Sequence, residues 1–118
     1  MCGIAGAFGY LDDTVRDAMR RASAALRHRG PDADGEFEWA ENGRGVLLLH
    51  RRLSILDLSA AGNQPMHGPD GDVICYNGEV YNFQALRDEL RAAGHVFHSG
   101  TDTEVLLAAH RARGDAAP

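Results

Sequence analysis

Apolar positions fall in two rhythms along the chain, one with a period of two and one near 3.6, and the switches between them mark the elements. Over residues 2–10, Ile4, Phe8 and Tyr10 hold even positions with small residues between them. That pattern predicts a strand whose one apolar face packs closely. Glycines at 3, 6 and 9 weaken such a strand unless another backbone or a ligand comes near. Asp12 and Asp13 are candidate caps for a helix in which Val15, Met19, Ala22 and Leu26 share one face. Arg16, Arg20, Arg21 and Arg27 lie largely off that stripe. The run 27–32 (RHRGPD) ends the helix, because Gly-Pro is strong punctuation, and Asp32 can bond its own backbone in a turn. Its arginines suit a solvated helix end, or they hold an anionic group or the N-terminus.

Residues 35–41 alternate, with Phe37 and Trp39 against Glu36 and Glu38, and read as a half-buried strand. Asn42-Gly43 is a hairpin signal. The run 45–49 (GVLLL) is a buried strand that delivers His50, Arg51 and Arg52 at its end. Two adjacent arginines on a continuing strand point to opposite sides, one to a cleft and one to solvent. Residues 59–71 are loop-like. Residues 72–76 (DVICY) predict another strand, with Cys75 as a small buried hydrophobe, and Asn77-Gly78-Glu79 breaks it. Asn82 is placed to cap a helix lined by Phe83, Leu86, Leu90 and Ala93 and stopped by Gly94. Residues 95–98 (HVFH) read as a short strand. Thr101 and Glu104 form a capping box for a helix over 102–113. Its buried face is Val105, Leu106 and Ala109, and Asp102 sits in the first turn, where the dipole favours a carboxylate. Residues 114–118 break that helix.

Composition narrows the classes. The chain has 118 residues, enough for one small domain, with 44% hydrophobic and 25% charged residues as in ordinary soluble globular proteins. A net charge of −5 gives no electrostatic case for nucleic acid or an anionic membrane. No apolar run approaches the ~20 residues of a membrane span, and the N-terminus lacks the basic and apolar regions of a signal peptide. All 12 basic residues are arginine, which reads as coding bias. Cys2 and Cys75 make no disulfide framework, so a reducing cytoplasm is the expected compartment. The six histidines do not pair with cysteines in a zinc pattern, and no metal site is expected.

Cys2 changes the picture. If Met1 is removed, this residue carries a thiol and a free α-amine together. The thiolate is the nucleophile. A free thiol titrates near ~8.5 and an α-amine near ~7.7–8.0, so one residue can supply nucleophile and base. The alternative is a start methionine followed by a small buried cysteine.

The order of motifs then becomes specific: an N-terminal Cys-Gly-Ile strand, RHRGPD (27–32), HRRLSILDLS (50–59), GNQPM (62–66), YNGEVYN (76–82) and SGTDTEV (99–105). It resembles the glutamine-hydrolysing domain of the asparagine synthetase family, a class II glutamine amidotransferase among the N-terminal nucleophile hydrolases. The resemblance spans residues 2 to about 113. It implies an α+β fold, a four-layer αββα sandwich of antiparallel sheets, incomplete at the C-terminus. It implies that Cys2 attacks the side-chain amide of glutamine, that its α-amine relays the proton, and that the Asn77 amide and Gly78 N–H form the oxyanion hole. Arg52 would hold the α-carboxylate, and Asp102 with Glu79 the α-ammonium. Arg52, Leu53, Ser54, Ile55 and Leu56 would line the site.

The resemblance also implies that residues 1–118 are the N-terminal part of a longer protein. In that protein a synthetase domain would bind ATP and Mg²⁺ and activate aspartate, receiving ammonia through a tunnel; no cofactor is expected in residues 1–118. A homodimer is compatible with the full-length protein. Two alternatives stand beside this one: a related amidotransferase with a sugar, peptide or β-lactam precursor as acceptor, and a non-catalytic glutaminase-like module. A domain lacking strands exposes sheet edges, which predicts poor solubility or partial unfolding for residues 1–118 alone.

Overall fold

A computed structural model describes residues 1–117. They form an α+β domain. Strands β1 (Gly3–Tyr10), β2 (Ala33–Glu41) and β3 (Arg44–Arg52) make one antiparallel sheet in the order β1-β3-β2. Helix α1 (Asp13–Ala25) connects β1 to β2 and lies on the sheet. Strands β4 (Met66–His67) and β5 (Val73–Ile74) pair antiparallel in a second, two-stranded sheet. Helices α2 (Phe83–Ala92) and α3 (Asp102–Arg113) pack on each other. No helix among the described residues is long and apolar enough to cross a membrane.

The β2–β3 hairpin forms where the sequence placed it. Asn42 takes φ 53° and Gly43 φ 78°, the left-handed pair that a two-residue hairpin needs. Asp12, not Asp13, caps α1, its carboxylate accepting from Val15 N–H at 2.9 Å.

Strand β1 keeps its period of two but inverts its faces. Ala5 and Ala7 face α1 and join the core of Leu11, Met19, Leu47 and Leu49. Ile4, Phe8 and Tyr10 point the other way and are exposed. Small residues let a helix seat closely on the sheet, so the large ones take the opposite face. A second core, built from Leu86, Leu90, Val105, Ala108 and Ala109, holds α2 to α3.

Other departures have local causes. Residues 95–98 form no strand: the Glu104 carboxylate accepts from the His98 and Ser99 N–H groups at 2.8 and 2.6 Å, which occupies donors a ladder would use. Thr101 does cap α3, accepting from Glu104 N–H at 3.3 Å. Within α3, Leu107 and Ala108 are buried and Leu106 is half-buried, because this helix is covered on more than one side. Asn82 occupies the N-cap position of α2 without a side-chain bond, and Ala93 is exposed as its C-cap. The loop-like stretch 59–71 contains a 3-10 turn (Ala60–Gly62) and β4, whereas the strand expected over 72–76 shortens to β5. Cys75 is half-buried just beyond β5, and burial pushes its thiol up to about 11. Asp32 accepts from Ser54 N–H at 2.7 Å instead of from its own turn.

Candidate functional site

The C-terminal end of β3 meets the N-terminal end of β1 because the two strands run antiparallel, with Gly3 opposite Arg51. Register alone therefore brings Cys2 beside the segment that follows Arg52. The Leu53 N–H points at the Cys2 sulfur at 3.3 Å, and the thiol lies 3.7 Å from the Leu53 carbonyl. Arg29, from the RHRGPD run, donates its Nε–H to the Cys2 carbonyl at 3.1 Å. Of the roles open to those arginines, Arg29 takes the one that holds the N-terminal segment.

The adjacent arginines part as the strand rhythm required. Arg51, expected in solvent, is instead half-buried, because it turns toward α1 and donates to Ser23. Arg52 is 6% exposed and turns to the opposite side. Its guanidinium donates to the Ser59 carbonyl at 2.6 Å, to Asn63 Oδ1 at 2.9 Å and to the Asp57 carbonyl. These bonds gather loop 57–63 around the cation. Asp57 in turn accepts from Gly100 N–H at 2.7 Å and from Ser59 N–H at 2.8 Å. Those donors, Gly100 foremost, hold its carboxyl well below the usual range, at about 2. Asp57 thereby ties the loop after β3 to the approach to α3.

Asp102 opens α3 and is buried. Its Oδ2 accepts from Val80 N–H at 3.0 Å, which anchors the segment after Asn77-Gly78-Glu79. Those three residues are exposed at the rim of a cavity of about 590 Å³. The same cavity is lined by Cys2, Arg52, Leu53, Ile55, Leu56, Asn77, Gly78, Glu79 and Asp102, and by Met1. These residues come from four separate segments, so no local pattern shows the grouping. Ser54 does not line this cavity; it faces a neighbouring pocket of about 380 Å³ with Asp32 and Asn63. The reason is its own N–H, which Asp32 takes on that side.

A Cβ at position 78 would stand 2.7 Å from the Tyr76 hydroxyl, so glycine lets this turn fold over the tyrosine. Burial raises the Tyr76 phenol above its ordinary value, and the negative charges of Asp102, Glu79 and Tyr81 add to the shift. The cavity therefore offers one guanidinium, two carboxylates and a thiol. Gln64, Tyr76 and Thr103 also line it, as does the cap residue Thr101, and the sequence pattern assigns none of them a place in the cavity. Gln64 lay within the GNQPM motif, which was a signal without a role.

Fold and cavity together define an α+β domain with a thiol-bearing cleft at the end of an antiparallel sheet. The family model for the glutamine amidotransferase domain matches residues 1–117, and the chain belongs to that family. Among curated proteins it is similar to asparagine synthetase [glutamine-hydrolyzing] 1 of Bacillus subtilis, 39% identical over 94% of this chain and 18% of the relative. It is likewise similar to asparagine synthetase [glutamine-hydrolyzing] 3 of the same organism, 43% identical over 91% and 17%. A putative asparagine synthetase [glutamine-hydrolyzing] 2 of Methanocaldococcus jannaschii is 35% identical over 91% and 23%. The chain spans about a fifth of the length of these relatives.

Proposed function

We propose that the chain hydrolyses glutamine with Cys2 as an N-terminal nucleophile, and that the ammonia serves ATP-dependent conversion of aspartate to asparagine in a longer protein. The observation that supports this reading is that Cys2, Asn77 and Gly78 line the same cavity, in a chain of the amidotransferase family. Removal of Met1 frees the Cys2 amine. That amine takes the thiol proton, the thiolate attacks the amide carbon, and the proton passes to the departing ammonia. Water then hydrolyses the thioester. The Asn77 side-chain amide and the Gly78 N–H receive the oxyanion; losing one such donor costs ~10²–10³ in rate.

Glutamine is a zwitterion and needs a cation and an anion. Arg52 is the cation. Its Nε makes no hydrogen bond among the described residues, so the guanidinium keeps donor capacity for the α-carboxylate while its Nη groups hold the loop. Asp102 spends Oδ2 on Val80, which leaves Oδ1 for the α-ammonium, with Glu79 beside it. Leu53, Ile55 and Leu56 form the adjoining wall, and Ser54 ties this segment to Asp32 from the neighbouring pocket.

In this reading residues 1–118 are the N-terminal part of a class II amidotransferase domain with the four-layer αββα architecture. The following synthetase domain, a ligase, holds ATP and Mg²⁺ and accepts aspartate; the protein is cytoplasmic and compatible with a homodimer. The asparagine synthetase relatives support that acceptor. The test is Cys2→Ala in the full-length protein. Glutamine-dependent synthesis should be lost while ammonia-dependent synthesis persists; unchanged glutaminase activity would overturn the reading.

A further inference from the structure

The turn that carries Asn77 and Gly78 has no ladder to hold it, because β5 ends at Ile74. Two side-chain bonds anchor its backbone. On the far side, Val80 N–H donates to Asp102. On the near side, Tyr76 N–H donates to Gln64 Oε1 at 2.6 Å. Gln64 is 8% exposed, and its other end donates through Nε2 to Thr103 Oγ1 at 3.2 Å. A backbone N–H can only donate, so the Gln64 atom facing it must be the oxygen, and the amide orientation follows. Both anchors thus end on consecutive residues, Asp102 and Thr103, in the first turn of α3.

We propose that Gln64 is a positioning residue for glutamine hydrolysis, fixing the Asn77-Gly78 oxyanion donors relative to Asp102. The proposal rests on the reading given under Proposed function. A primary amide suits the task because it presents an acceptor and a donor at one end of a neutral side chain. Neutrality matters here: Asp102 and Glu79 already charge the cavity, and a carboxylate at position 64 would repel them. The oxyanion exists only in the transition state, so a misplaced turn lowers kcat and leaves ground-state binding of glutamine nearly intact.

The test is steady-state glutaminase kinetics of the full-length protein with Cys2→Ala, Gln64→Met, Thr103→Val and Thr103→Ser. Methionine keeps the volume of Gln64 and removes both bonds. Gln64→Met should lower kcat by about 10–100-fold, the scale of a small misplacement of catalytic groups, with the glutamine KM changed by less than about threefold. Thr103→Val should lower kcat by a smaller factor, and Thr103→Ser, which keeps the hydroxyl, should restore it. Combining Gln64→Met with Thr103→Val should cost no more than Gln64→Met alone. Activity surviving in Cys2→Ala removes the underlying reading. With Cys2→Ala inactive, a wild-type kcat in Gln64→Met overturns the proposal by itself, as does a loss confined to KM. Should Gln64→Met fail to fold, the Thr103 pair decides: equal kcat for valine and serine overturns it.

Discussion

Arg52 and Arg87 are 6% and 7% exposed, while Phe8 and Trp39 are 87% and 54% exposed. Burial in this domain is thus inverted by region. Around the cavity, Arg52, Arg87 and Gln64 are buried and bound to loop and helix partners. Arg52 holds loop 57–63, Arg87 donates to the Ser99 and Thr101 carbonyls at 2.8 and 2.7 Å, and Gln64 joins Tyr76 to Thr103. On the sheet face away from α1, Ile4, Phe8, Tyr10 and Trp39 are exposed, with Arg44 over the Tyr10 ring at 5.1 Å. The contrast teaches that the site is built by hydrogen bonds to loop backbone, which are costly to break, whereas the open face adds little to the stability of these residues.

Arg87→Leu breaks the comparison most directly. It removes the donors of two carbonyls on the approach to Asp102 and the stacking of Arg87 over Phe97 at 5.0 Å. The expected loss is about 3 kcal/mol in urea unfolding. A loss under ~0.5 kcal/mol, the range of ordinary surface changes, would show that the buried arginine is not a structural tie.

Acid titration sharpens the cavity side. Burial holds the His50 imidazole below its ordinary 6.5, the Arg52 cation adds to the shift, and the Tyr76 backbone opposes it. The folded state therefore binds this proton less readily than the unfolded state. Stability should fall as pH drops below 6.5 and level off once pH passes below the folded value. His50→Leu should flatten that limb in denaturant midpoints measured against pH. Asp57 gives a second limb of the usual carboxylate sign. Its stabilisation is present above 3.8 and is lost as pH falls through about 2, and Asp57→Asn should remove it.

The smallest effect belongs to the open face. Phe8→Ser and Trp39→Ser should each change stability by less than about 0.5 kcal/mol, as exposed positions do. A thermal or urea measurement giving a loss above ~2 kcal/mol would mean that the face is covered in solution, as buried large apolar side chains are.

The hairpin at Asn42-Gly43, the cap at Thr101 and the opposite turns of Arg51 and Arg52 were legible because each depends on neighbours a few residues apart. The helical stripe Val15, Met19, Ala22 and Leu26 was legible for the same reason. Cys2, Asn77, Gly78, Arg52 and Asp102 were legible as candidates through the order of motifs, and they meet at one cavity. One bond to Asp32 turns Ser54 to the neighbouring pocket, and Gln64 is not legible because its partners lie 12 and 39 residues away.

By itself, then, the sequence determined periods, turns and caps, since φ preferences and side-chain reach act over a few residues. Tertiary structure decided which face of β1 is covered. The period of two is the same for either face, and only α1 seated on Ala5 and Ala7 breaks the tie. It also decided which carbonyls and N–H groups receive the donors and acceptors of Arg52, Gln64, Arg87 and Asp102, since those partners come together only when the chain has closed.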